Sequence, residues 1–114
     1  MPDVEPSSHP AIVGRRMQAL RERLGWSQEK VGVEIGLEES ASRMRISRYE
    51  RGVHEPPVGT ARLIARAFGV PLAYLYCEDD EIAALLLALH KRPPEARREV
   101  AKVFIEALES PATT

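Results

Sequence analysis

At 114 residues and 44% hydrophobic content, the chain can bury one compact core with room for a small appendage. Aromatic residues make up only 5% and strand-like alternation is nowhere sustained, so the core should be aliphatic and the fold all-α. The net charge of −1 argues on its face against a nucleic-acid partner, but it conceals a split: residues 11–76 hold 11 Lys and Arg against 7 Asp and Glu, while residues 1–10 carry −2 and residues 77–114 carry −3.

Residues 1–10 combine three prolines, two serines and two acids without apolar periodicity, the composition of a flexible tail. They lack the basic-then-apolar order of a signal peptide, and no apolar run in the chain reaches membrane-spanning length, so no membrane partner is expected. Cys77 is the single cysteine, which excludes an intrachain disulfide and a cysteine-held zinc and suits a reducing cytoplasm. His9, His54 and His90 share no metal-ligand spacing, so neither a metal nor a cofactor is expected.

From Ala11 the pattern becomes helical, with Val13, Met17, Leu20 and Leu24 on one face. Gly25 should end that helix, and Trp26 should fold inward ahead of Ser27, which supplies a hydroxyl cap for the next helix. Lys30 stands where a capping box would want an acid. Val31 and Ile35 share a face, and Gly32 beside them leaves room for a neighbouring helix to approach closely. Gly36 then ends the helix in a left-handed turn.

The following helix carries most of the functional argument. At 100° per residue, Ile46, Tyr49 and Glu50 cluster on one side as its packed face. Arg43, Met44, Arg45, Ser47, Arg48 and Arg51 fan across the other side, which is basic. Beyond it, Arg51 to Pro57 should be a loop, since two prolines remove donors. Thr60 is a candidate cap for a helix burying Leu63, Ile64, Ala67 and Phe68, and Gly69 stops it. Pro71 suits the start of a short helix with Leu72, Leu75 and Tyr76 facing in.

Glu78, Asp79, Asp80 and Glu81 place acids at the start of a further helix, where they complement its dipole. Its run Ile82 to Leu89 is apolar at every position, which predicts burial on all sides. Pro93 and Pro94 separate it from a helix over 95–109 in which Ala96, Val100, Val103, Phe104, Ala107 and Leu108 recur at helical spacing. Residues 78–110 thus read as a helical hairpin, with Ile82, Leu85, Leu86, Leu89 and Phe104 as its dimerisation surface and 111–114 as a tail.

Leu20, Gly25, Trp26, Ser27, Gln28, Val31, Gly32, Ile35 and Gly36, then Ile46, Ser47, Tyr49, Glu50, Arg51 and Gly52, and finally Ala65, Ala67, Gly69, Val70 and Leu75 carry a family pattern. Over about residues 12–76 the chain resembles the Cro and phage-repressor (xenobiotic-response-element) helix-turn-helix family. The resemblance implies a five-helix DNA-binding domain over 11–77 whose first motif helix crosses the DNA backbone and whose second enters the major groove. It puts Arg43, Met44 and Arg48 at base edges with Arg45 and Ser47 alongside. Gln28 matches a phosphate contact, Arg51 and His54 are further phosphate candidates, and Arg21 should pair with Glu50. One departure stands out. The family spans about twelve residues between the turn glycine and the glycine of E-R-G, whereas Gly36 to Gly52 is sixteen, and the surplus around Glu38, Glu39, Ser40 and Ala41 could lengthen the turn or the helix.

No phosphate loop, nucleophile motif, paired carboxylates or metal spacing is present, so an enzyme is not expected. The implied function is a sequence-specific transcriptional regulator, a repressor, that binds double-stranded DNA as a homodimer on a palindromic operator. Two rivals use the same fold: an antitoxin that represses its own operon and masks a toxin, and a bridging module that binds proteins of the transcription machinery.

Overall fold

The computed structural model describes residues 12–111 and contains, among them, seven helices and no strand. They are α1 (Ile12–Leu24), α2 (Gln28–Glu34), α3 (Glu39–Glu50), α4 (Val58–Phe68), α5 (Leu72–Tyr76), α6 (Asp80–His90) and α7 (Pro94–Glu109). The tail expected over residues 1–10, His9 with it, lies outside the described residues, as do residues 112–114 of the C-terminal tail.

The core is mainly aliphatic, with two buried tyrosines, and belongs largely to the first five helices. Val13, Met17 and Leu20 of α1 meet Val31 of α2, Ile46 and Tyr49 of α3, Ile64 and Ala65 of α4, and Tyr74 and Leu75 of α5; from beyond them α6 contributes Ala83, with Leu87 partly buried against the cluster. Left-handed glycines end the elements where the sequence places them, with φ of +73° at Gly25, +93° at Gly36 and +74° at Gly69. Ser27 caps α2 by accepting a 3.0 Å hydrogen bond from the Lys30 amide. Trp26 folds inward to stack on Phe68, with ring centroids 5.7 Å apart.

Several expectations at the edges of helices are corrected. Leu24 and Leu63 are 47% and 43% exposed, since each lies at the margin of its helix's apolar arc and no neighbour covers it. Tyr76 is exposed, and Tyr74 takes the buried aromatic place on α5. Thr60 does not cap α4, which begins earlier, after Pro57. The surplus residues after Gly36 join the helix: the turn is confined to residues 35–38, and α3 starts at Glu39.

The expectation that Ile82 to Leu89 is buried on every side is also corrected. Only Ala83 is buried on α6, while Ile82 and Leu85 are 50% and 40% exposed. Leu86 and Leu89 are half-buried. α7 lies along α6 but has no buried residue, and Phe104 is 42% exposed. The hairpin therefore projects from the domain, giving a radius of gyration of 16.9 Å, against about 13 Å for a compact chain of roughly 100 residues.

Two glycines set the helix spacing. A Cβ on Gly32 would collide with the side chain of Ser42, so α2 and α3 touch where the sequence predicts a close approach. A Cβ on Gly14 would run into the carbonyl oxygens of Tyr49 and Glu50, which fixes how closely α1 crosses the end of α3. Backbone carbonyls cannot swing aside, so Gly14→Ala should lower stability in urea by about 2 to 3 kcal/mol. Gly59→Ala, at a helical position with open space around it, should raise stability by about 0.5 kcal/mol. A neutral Gly14→Ala would contradict the packing.

Candidate nucleic-acid interface

α2 and α3 are joined by a tight turn in which the Leu37 amide donates to the Gly32 carbonyl at 2.9 Å and the Gly36 amide to Val33 at 3.0 Å. Leu37 packs against the core and pins the turn to the domain. Ser42 is fully buried, donating its hydroxyl to the Glu38 carbonyl at 2.7 Å, so the start of α3 is held down against Gly32. The outer face of α3 is thereby presented to solvent.

That face is a ridge between two open clefts. One cleft is lined by Gln28, Ser40, Arg43, Met44 and Ser47, the other by Arg45, Arg48, Tyr49, His54, Glu55 and Pro57. Arg43, Arg45, Arg48 and Arg51 are exposed, and Met44 is 58% exposed, which is unusual for so apolar a side chain. Ser47 is half-buried and accepts a 3.2 Å hydrogen bond from Arg51 Nε, fixing the direction of that guanidinium. The sequence-predicted base readers thus divide between the clefts: Arg43, Met44 and Ser47 on the α2 side, Arg45 and Arg48 on the side of the loop after α3. His54 joins the second cleft, in the middle of a loop whose Val53 amide donates to the Arg48 carbonyl at 3.0 Å.

The expected Arg21–Glu50 pair is present and bidentate, Nε donating to Oε2 at 2.6 Å and Nη2 to Oε1 at 3.1 Å. The Glu50 side chain is 3% exposed and that of Arg21 15%, so the carboxylate is almost wholly removed from water. Gln28 Nε2 donates a third hydrogen bond to Oε1 at 3.0 Å, and Arg21 Nη1 donates to the Trp26 carbonyl at 3.0 Å. The hydrogen bond that Arg21 donates to Glu50 raises the Arg21 pKa further above its already high value; burial opposes this, and the charges of Glu50 and Glu22 add to it. The guanidinium therefore stays charged at any pH at which the domain is folded. Glycine spacing, caps and the pair together hold α1, the start of α2 and the end of α3 as one unit.

Gln28 consequently has a structural partner that its sequence position did not reveal. Its amide donates to Glu50, and the residue also lines the α2-side cleft. Ser40 was missed as a site residue, because its place depends on the surplus residues being helical. Placed one turn before Met44, it shares the α2-side cleft. Arg97 was missed as well: it closes the hairpin by donating to the carbonyls of Leu89, His90 and Arg92, and no side-chain pattern marks carbonyl partners.

Among the described residues no group of His, Cys, Asp or Glu is placed to hold a metal ion, and no helix is long and apolar enough to cross a membrane. A family profile described as helix-turn-helix matches residues 17–75. A solved structure titled as that of the transcriptional regulator BswR is similar over 85% of this chain and 98% of its own, with a TM-score of 0.73 and 35% sequence identity. No curated protein matches the sequence.

Removing one member of a buried pair strands the other charge. Glu50→Ala should cost about 3 to 5 kcal/mol in urea unfolding, whereas replacing Arg21 and Glu50 together by methionine should cost less than Glu50→Ala alone. Additive losses in that double-mutant comparison would show that the two side chains are not coupled.

Proposed function

The chain belongs to the helix-turn-helix family of DNA-binding transcriptional regulators, and we propose that it is a repressor that reads a palindromic operator as a homodimer through α3. The observation that carries this reading is the exposed ridge of Arg43, Arg45, Arg48, Arg51 and Met44, held rigidly from behind by Arg21, Glu50 and Gln28. Its dimensions suit the purpose, since a single α-helix fits the major groove and the clefts on either side leave room for the groove walls.

In this reading Arg43, Arg48 and Met44 meet base edges, with Arg45 and Ser47 alongside. Arginine offers two parallel donors to the O6 and N7 acceptors of guanine, and the Met44 chain lies on a thymine methyl. Gln28, Ser40 and the α2 amides take phosphates on one side of the groove; Arg51 and His54 serve as further phosphate contacts. Glu38, just before α3, and Glu39, in its exposed first turn, complement the helix dipole.

The dimer is supported by the hairpin's unpartnered apolar surface. Ile82, Leu85 and Phe104 are exposed together with Val103, Ile105 and Leu108 at 60%, 51% and 84%. A groove between α6 and α7, lined by Leu85, Ala88, Leu89, Val100 and Phe104 with Arg92 at its margin, adds shape to that surface. Soluble monomers seldom leave such a patch open, and two-fold symmetry in the protein matches two-fold symmetry in the operator.

Arg48→Ala should weaken binding to the preferred site by about 1 to 3 kcal/mol and relax selection at one guanine without loss of helicity. With about six phosphates neutralised per dimer, affinity should fall roughly 1,000-fold between 50 and 200 mM salt. Unaltered specificity removes Arg48 from the base-reading set, and a flat salt dependence favours the protein-bridging rival.

The full chain should sediment as a dimer at micromolar concentration. Because each buried large apolar side chain stabilises an interface by roughly 1.5 to 3 kcal/mol, Leu85→Ala combined with Phe104→Ala should yield a folded monomer. A monomeric unsubstituted chain would contradict the dimer and leave the hairpin free for a toxin, as in the antitoxin rival.

A further inference from the structure

Arg16 lies on α1, and its side chain is 13% exposed. Its guanidinium donates twice to one backbone carbonyl, that of Cys77, from Nη2 at 2.7 Å and Nε at 3.2 Å. Nη2 also lies 3.1 Å from Asp80 Oδ1, and the guanidinium carbon is 5.2 Å from the centre of the Tyr74 ring. One side chain of α1 thus grips the end of α5, the link that follows it and the first residue of α6.

The link is short. α5 ends at Tyr76, Asp79 caps α6 by accepting from the amides of Glu81 and Ile82, and α6 begins at Asp80. Three residues in extended or irregular conformation are the whole connection between the DNA-binding domain and the hairpin. Three contacts govern the direction of α6: Ala83, 1% exposed against the core, Leu87, half-buried against it one turn further on, and the Arg16 clamp one turn before Ala83. The clamp alone reaches the link itself, so with it removed α6 could pivot about its apolar contacts.

We propose that Arg16 is a positioning residue for operator spacing: by fixing the angle at which α6 leaves the domain, it sets the distance and rotation between the two recognition helices of the dimer. The inference rests on the dimeric reading given above. The hairpin carries the dimer surface and α3 carries the base readers, so any rotation at the Cys77–Asp80 link is transmitted to both half-sites. Rotation is consequential there because half-sites one helical turn apart, about 34 to 36 Å, leave no tolerance for a subunit that swings freely. The guanidinium is suited to the task, since its planar fork fixes direction as well as distance, which an ammonium does not.

The test is the affinity of the full-length protein for a series of operators whose half-sites are kept constant while the spacer is shortened or lengthened by one base pair. Each step changes both the separation and the angular phase of the half-sites, so a rigid dimer loses simultaneous engagement and with it about 100-fold in affinity. Arg16→Met keeps an apolar stem against Tyr74 and removes the clamp; Arg16→Lys keeps the charge toward Asp80 and loses the fork. Arg16→Met should remain dimeric, bind an isolated half-site as the unsubstituted protein does, and lose tenfold or less on the altered spacers, with Arg16→Lys intermediate.

If the unsubstituted protein discriminates sharply and both variants keep the same sharp profile, the positioning role is overturned while the dimeric reading stands. If the unsubstituted protein is indifferent to spacing, the dimeric reading fails and the positioning role falls with it. Should Arg16→Met not fold, Arg16→Lys with Asp80→Asn provides the same comparison, and an unchanged profile in that pair overturns the proposal.

Discussion

Everything presented at the surface of α3 depends on a carboxylate hidden beneath it. Glu50 is buried, and it is tolerated because Arg21 meets it with a two-pronged hydrogen bond and Gln28 adds a third donor. An unpaired carboxylate there would be intolerable, and an apolar residue would leave Arg21 stranded instead. The pair therefore acts as a registration device: only one rotation and one crossing angle of α3 bring Glu50 to Arg21. That same rotation turns Ile46 and Tyr49 into the core and Arg43, Arg45 and Arg48 outward.

Close packing supports the same geometry from the other end of the helix. Gly32 lets Ser42 approach α2, and Gly14 lets the carbonyls of Tyr49 and Glu50 approach α1. With both ends of α3 seated on glycines and the pair locking its rotation, the basic ridge is preorganised, so little ordering cost remains to oppose binding. The hairpin is built differently. α7 rests on α6, its residues are half-buried or exposed, and its shape is completed by Arg97 tying the inter-helix carbonyls rather than by a core.

Much of this was legible in the sequence because side-chain periodicity and glycine placement report directly on local backbone and on which face is buried. The ends at Gly25, Gly36 and Gly69, the cap at Ser27, the inward Trp26 and the Arg21–Glu50 pair follow from such signals, the last through family resemblance. Harder to read were features decided by what lies opposite. Leu24, Leu63 and Tyr76 are apolar or aromatic at helical spacing, yet they are left exposed. An all-apolar run such as Ile82 to Leu89 indicates a need for cover without saying whether the chain itself supplies it, and here it does so only in part. Arg16 and Arg97 bond to carbonyls, and Gln28 to a carboxylate 22 residues away, so none of these partners shows in a linear pattern.

The central claim is that α3 reads a defined DNA sequence, and selection of binding sites from random double-stranded DNA, read by sequencing, tests it most directly. The account predicts enrichment of a guanine-containing half-site repeated in inverted orientation with its centres about one helical turn apart. Recovery of DNA with no enriched sequence, or of an enriched sequence without inverted symmetry, would contradict it.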